Sequence, residues 1–238
     1  MIEKEQQLLA RVLDLFARKF DRKAVLRGGM VLRVLGSPRL TNDLDYVFVP
    51  YKSKKDIVDE ILVCLRSIEG AKLDYSLNSK CLRIVLTVDQ TRIQIESKVA
   101  MDVRTMTAST RLFSSQFNLP PRIIHVMDIN VALANKMGAW NERRLIRDIY
   151  DIWFLLQMNA KPDEATLEAR LARPVYSTLV KQKDHFAGRT CQMFYDYLRD
   201  HVARLSDEQI RQELSDYLPP GESDGLALLF RAGLAKLP

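Results

Sequence analysis

Cysteine and histidine are scarce in this chain, and neither is arranged to cross-link or to bind metal. Cys64, Cys81 and Cys191 are odd in number, widely spaced and free of any C-x-x-C pair. They fit reduced thiols of a cytosolic protein, not a disulfide framework or a zinc site. His125, His185 and His201 do not cluster with them and read as ordinary surface or core residues. Long apolar runs are absent too, and none approaches the length of a membrane span. The opening Met1-Ile2-Glu3-Lys4-Glu5 carries charges of both signs where a secretory signal would be apolar. A cytoplasmic protein with no membrane partner is the expectation. No internal repeat or low-complexity tract appears.

What is present is an ordinary globular composition, 47% hydrophobic and 28% charged over 238 residues, enough for one large domain or two small ones. The net charge of +6 permits contact with a polyanion without specifying one. Small basic groups at Lys52/Lys54/Lys55, Arg143/Arg144/Arg147 and Lys181/Lys183 read mostly as solvated helix faces.

Along the chain, Ile2 to Phe20 has helical spacing at Leu8, Leu9, Val12, Leu13 and Phe16. Ala24-Val25-Leu26 reads as a short strand running into Gly28-Gly29. A brief helix over Met30 to Leu35 follows and is stopped by Gly36-Ser37-Pro38. Leu44 to Val49 alternates as a strand, Asp56 to Ile68 is an amphipathic helix, and Leu82 to Val88 and Arg92 to Val99 are further strands. The Ser/Thr-rich Thr105 to Pro121 is expected to be a long connection. Beyond it, a helix capped by Asp128 is expected through Lys136, a second over Arg144 to Met158, and helical patterns to the end. These features predict a mixed α/β domain over 1–105 and a helical domain over 122–238.

Chemistry concentrates near the start. Two adjacent glycines between a strand and a helix bring backbone N–H groups close to phosphate oxygens. Asp43 and Asp45, at i and i+2 on a strand, point to one face. Two carboxylates within about 4 Å at an effective dielectric near 20 repel by roughly 4 kcal/mol. A divalent cation that also binds phosphate offsets that cost, so the pattern reads as a metal-dependent nucleotide site with Mg²⁺ (or Mn²⁺) on Asp43 and Asp45. Arg39 and Thr41 precede the pair, and either bind phosphate or shape the turn. Glu96 shares a strand face with Gln94 and offers a third carboxylate, as metal ligand or proton acceptor; Asp102 is its competitor. Lys136 is a point charge suited to a leaving pyrophosphate. The spacing of Arg144 with Asp148, and of Arg147 with Asp151, suits a surface ladder of i, i+4 ion pairs. Yet Ile149, Ile152, Trp153 and Leu156 cover much of this helix, and charges beside such a face tend to be paired or functional.

The order of these residues resembles a known family. Gly28-Gly29 followed, after thirteen intervening residues, by Asp43-Leu44-Asp45 is similar to the signature of the nucleotidyltransferase superfamily. Lys136 and the run Arg147-Asp148-Ile149-Tyr150-Asp151 resemble the lysine and R-D-x-x-D motifs of the AbiEii toxin branch. The likeness covers roughly residues 24 to 157. It implies a polymerase-β-like α/β domain followed by a helical domain, with the nucleotide lying between them. It also implies an acceptor hydroxyl that attacks the α-phosphorus of an NTP and releases pyrophosphate. By position it assigns Gly28 and Gly29 to phosphate contact, Asp43 and Asp45 to metal, Lys136 to nucleotide phosphate and Asp148 to an essential acid. Some relatives are toxins that act on tRNA and are neutralised by a cognate antitoxin. The rival expectations are a small-molecule, antibiotic-modifying transferase and a degenerate fold that only binds a partner. Met30 departs from the Ser or Thr often found there, since a thioether donates no hydrogen bond. Glu96 departs from the more usual Asp.

Overall fold

A computed structural model of the chain describes residues 2–175, 186 and 190–238. His185 and the Lys181/Lys183 group lie outside the described residues. The chain divides into two compact units, Met1–Asp128 and Ile129–Pro238.

In the first unit the apolar stripe of the N-terminal segment forms α1 (Ile2–Phe20). The elements β1 (Ala24–Arg27), α2 (Gly29–Val34), β2 (Asp43–Phe48) and α3 (Val58–Arg66) come next. They are followed by β3 (Ala71–Leu77), β4 (Leu82–Val88), β5 (Thr91–Val99), β6 (Thr105–Ser109), α4 (Arg111–Ser114) and β7 (Ile123–Met127). The strands form one seven-stranded sheet in the order β3-β4-β5-β2-β1-β7-β6. β2 pairs with β5, and β1 with β7, in parallel; the other neighbours are antiparallel. The sheet is therefore mixed.

Strand alternation sorts the side chains. Leu44, Tyr46 and Phe48 of β2, Ile93 and Ile95 of β5, and Ile84 and Leu86 of β4 are buried. Phe16 of α1 lies 5.1 Å from Tyr46 and 6.0 Å from Phe48 between ring centroids, and Phe20 lies 5.1 Å from Phe48. Each fully buried aromatic of this kind contributes about 1.5–3 kcal/mol. The opposite parity of the same strands carries Asp43, Asp45, Gln94, Glu96 and Arg83. A greasy face anchored on α1 thus fixes which way the carboxylates project.

Two expectations are corrected here. The expected connection over Thr105 to Pro121 contains β6 and α4, and β7 then enters the sheet beside β1, so the first unit runs to Asp128. The edge strand β3 was not expected; its alternation of Ala71, Leu73, Tyr75 and Leu77 with Lys72, Asp74 and Ser76 is the signal for it.

The second unit is helical among its described residues. It opens with α5 (Ile129–Arg143), α6 (Ile146–Gln157) and α7 (Glu164–Ala172). Helices Cys191–Ala203, Asp207–Leu214 and Leu226–Leu234 complete it. Its core gathers Leu133, Met137, Trp140, Ile152, Phe194 and Phe230. α5 runs seven residues beyond the expected end at Lys136. It stops at Arg144, whose φ of 57° lies in the left-handed region. No helix among the described residues is long and apolar enough to cross a membrane.

Candidate active site

β1 passes into α2 through Gly28, which has φ 76° and ψ −154°, a conformation that only glycine adopts without strain. A Cβ on Gly28 would collide with Asp45 Oδ2. One on Gly29 would stand 2.7 Å from Arg39 Nη2 and 3.0 Å from Thr41 Oγ1. Gly28 is therefore demanded by its backbone and by Asp45, while at Gly29 the Arg39 and Thr41 side chains pack close against the turn. Met30 is fully buried, so its thioether belongs to the core and not to the turn. The hydroxyl nearest Gly29 comes from Thr41 instead.

Asp43 and Asp45 are half-buried on one face of β2. Thr41 Oγ1 donates to Asp43 Oδ1 at 2.6 Å. Arg39 and Thr41 are buried beneath the glycine turn, and Arg39 Nη1 donates to the Leu40 carbonyl at 3.2 Å. Strand register then builds a row across four strands. Arg27 stands opposite Asp45, Asp45 opposite Glu96, and Glu96 opposite Arg83. Residues so paired have Cβ atoms about 4.5–5.5 Å apart, and like charges directly opposite are unfavourable. The two carboxylates at the centre are flanked by a cation on each side. Arg83 donates to Glu96 Oε1 from Nε at 3.0 Å and Nη2 at 2.8 Å, and Gln94 Nε2 adds a third bond at 3.1 Å. Lys98, two residues beyond Glu96 on β5, is half-buried in the same field. Burial and Arg27 push its ammonium below the ordinary lysine value, against the opposing pull of Asp45 and Glu96. Asp102 lies past the end of β5, exposed, its Oδ1 accepting from Val103 N at 2.8 Å.

Arg27, Arg83 and Lys98 were missed by sequence reasoning, although the alternation Gln94, Glu96, Lys98 marked one of them. They also change the electrostatic premise, because protein cations offset part of the carboxylate repulsion that was assigned wholly to a metal. The donor set still suits Mg²⁺ or Mn²⁺, hard cations that take carboxylate oxygens and complete their shell on water and phosphate. Among the described residues, no group of three or more His, Cys, Asp or Glu is gathered as a protein-only metal cage.

In the second unit Lys136 of α5 meets the acids of α6. Its Nζ lies 2.5 Å from Asp151 Oδ2 and 3.9 Å from Asp148 Oδ1. Arg143 grips Asp148 through both nitrogens at 2.6 Å. Asp148 and Asp151 are 0% and 1% exposed, so the surface ladder expected with Arg144 and Arg147 is overturned. The break between α5 and α6 leaves Arg144 outside both helices, and within α6 Asp151 turns inward to Lys136 and away from Arg147. The Arg144 guanidinium stacks 4.3 Å from the Trp140 ring, with Nη2 donating to the Tyr197 hydroxyl at 2.6 Å. Arg147 donates to the Tyr217 hydroxyl at 3.0 Å. The first unit thus brings together Gly28, Gly29, Arg39, Thr41, Asp43, Asp45 and Glu96, and the second brings together Lys136 and Asp148.

Known proteins share this architecture. A crystal structure of JHP933 from Helicobacter pylori superposes with a TM-score of 0.55 at 13% identity, covering 97% of this chain and 90% of that one. MenT4, a nucleotidyltransferase toxin from Mycobacterium tuberculosis, gives 0.52 at 17% identity, covering 98% and 85%. A putative nucleotidyltransferase from H. pylori gives 0.54 at 14% identity, covering 98% and 93%. At such identities the likeness establishes the fold alone. No curated protein sequence matches the chain. The family described as nucleotidyl transferase AbiEii toxin, Type IV TA system, matches residues 7–232, which takes in the glycine turn, the carboxylate pair and the Lys136–Asp148 cluster alike. This chain is a member of the AbiEii nucleotidyltransferase toxin family.

Proposed function

We propose that this toxin moves a nucleotide from an NTP to a hydroxyl of tRNA in the cytoplasm, with Mg²⁺, and that a cognate antitoxin neutralises it. The observation that carries the reading is the glycine turn pressed against Asp45, beside a second carboxylate aimed to the same side. Bound there, Mg²⁺ (or Mn²⁺) would neutralise charge on the triphosphate and orient it. Asp43 and Asp45 are its assigned ligands. The backbone N–H groups at Gly28 and Gly29 face the phosphates, with Arg39 and Thr41 setting the floor of the turn. Lys136 is assigned to nucleotide phosphate; Asp151 and Asp148 lie beside its ammonium, and Asp148 also binds Arg143. The acceptor oxygen forms its bond to the α-phosphorus as the bridging oxygen between α- and β-phosphorus leaves. The hydroxyl proton passes to Glu96, which stands beside Asp45, whereas Asp102 does not.

The test is incubation with total tRNA, and separately with small-molecule acceptors, using each of the four labelled NTPs. Label is expected in tRNA, with pyrophosphate released. Asp43→Asn and Asp45→Asn should reduce incorporation to background while circular dichroism stays native. Glu96→Gln should cost about a hundredfold, the low end for a positioned base. Incorporation at the wild-type rate in Asp43→Asn would end the metal assignment, and label only in small molecules would end the tRNA assignment.

A further inference from the structure

We propose that Gln6 is a positioning residue that sets Asp43 for its divalent cation, an inference that rests on the metal reading above. The inner face of α1 is built of Leu8, Leu9, Ala10, Val12, Leu13 and Phe16, and Gln6 is buried among the residues of this helix at 5% exposure. Its Nε2 donates to the Thr41 carbonyl at 2.6 Å, across 35 residues of sequence. Its Oε1 is buried and has no hydrogen-bond partner among the described residues. A residue serving only the packing of α1 would be apolar, since a buried acceptor left unsatisfied is unfavourable. The amide is retained at that cost, and the single bond it makes is a tether on the chain leading into β2.

That tether lands where it matters for the site. Residues 37–42 belong to no helix or strand. Backbone bonds hold their two ends, Ser37 N to the Leu32 carbonyl at 2.8 Å and Gln94 N to the Asn42 carbonyl at 3.5 Å. Gln6 holds the stretch between at Thr41, and the Thr41 hydroxyl in turn holds Asp43 Oδ1 at 2.6 Å. The same hydroxyl lies 3.0 Å from the Cβ position of Gly29. Gln6 brings no charge of its own. It acts by geometry, through Thr41, on the carboxylate and on the floor of the glycine turn. Such supporting bonds govern how well a ligand is aimed at its metal.

The variant to make is Gln6→Met, which keeps the length and apolar bulk but removes the donor. Mn²⁺ binding to the full chain, measured with the metal alone by electron paramagnetic resonance, should weaken about tenfold. In the transfer assay kcat should fall while the KM for NTP holds. Thr41→Val should weaken Mn²⁺ comparably, and Gln6→Met should add nothing in the Thr41→Val background, because both cut one relay. Asp43→Asn is the reference variant. Wild-type Mn²⁺ affinity in Gln6→Met, with binding lost in Asp43→Asn, overturns the role of Gln6 and leaves the metal reading intact. Additive effects of the Gln6 and Thr41 substitutions overturn the relay as well. Wild-type Mn²⁺ affinity in Asp43→Asn overturns the metal reading and this proposal with it. Should Gln6→Met fail to fold, the Thr41→Val and Asp43→Asn variants carry the comparison: wild-type Mn²⁺ affinity in Thr41→Val overturns the relay, since Gln6 acts only through Thr41.

Discussion

At Gly28 a methyl group would enter space held by Asp45 Oδ2 while forcing an L residue into φ 76°, ψ −154°. The backbone term alone costs about 1–3 kcal/mol, and the collision pushes the Asp45 carboxylate out of its row. Gly28→Ala is therefore expected to lower the urea midpoint and to abolish transfer. Gly70→Ala is the control: its φ is 73°, yet the nearest atom to a new Cβ is Val88 Cγ1 at 3.8 Å, so it should lose stability and keep activity. Equal activity losses in the two variants would show that strain, not displacement of Asp45, is responsible. Gly28-Gly29 and Asp43/Asp45 were legible in the sequence because each motif is local and its spacing states its geometry. Arg27, Arg83 and Lys98 were not, because the register that brings them to Asp45 and Glu96 joins strands far apart along the chain. Thr41 was noted as a turn residue or phosphate ligand; its bond to Asp43 needed coordinates.

Among the elements, α1, β1, β2, α3, β4 and β5 were readable because their apolar periods are clean and one face of each is buried. β6 was hidden by its Thr and Ser content, which suits an edge strand as well as a loop. β7 is a five-residue strand whose signal, Ile123-Ile124-His125-Val126-Met127, is too short to separate from a helix fragment. The α5–α6 break mattered, since it separates Arg144 from Asp148, and within α6 the pairing of Asp151 with Lys136 of α5 was not readable from i, i+4 spacing. The observed arrangement is a buried one, with Asp148 between Lys136 and Arg143. Removing one member of a buried pair costs about 3–5 kcal/mol, against less than about 1 kcal/mol for a surface pair. Asp148→Asn is accordingly expected to lose several kcal/mol in urea unfolding as well as activity. A loss below about 1 kcal/mol would mean that the Arg143 grip contributes little in solution.

For the whole molecule, the charge of +6 and isoelectric point near 9.2 permit the polyanionic acceptor proposed above. Binding to tRNA should therefore weaken steeply with salt, log affinity falling by about 0.7–0.9 per neutralised phosphate for each decade of salt. An affinity indifferent to salt between 50 and 200 mM would argue against backbone contacts as the source of binding.

The parallel pairing of β1 with β7 carries one more consequence. Val25 waits for His125, a hundred residues downstream, before β1 is flanked on both sides. At a ribosomal rate of about 5–20 residues per second that delay is roughly 5–20 s. A nascent chain therefore holds its glycine turn on an incomplete sheet for most of the synthesis of the first unit. A chain truncated before β7 leaves one edge of β1 unpaired.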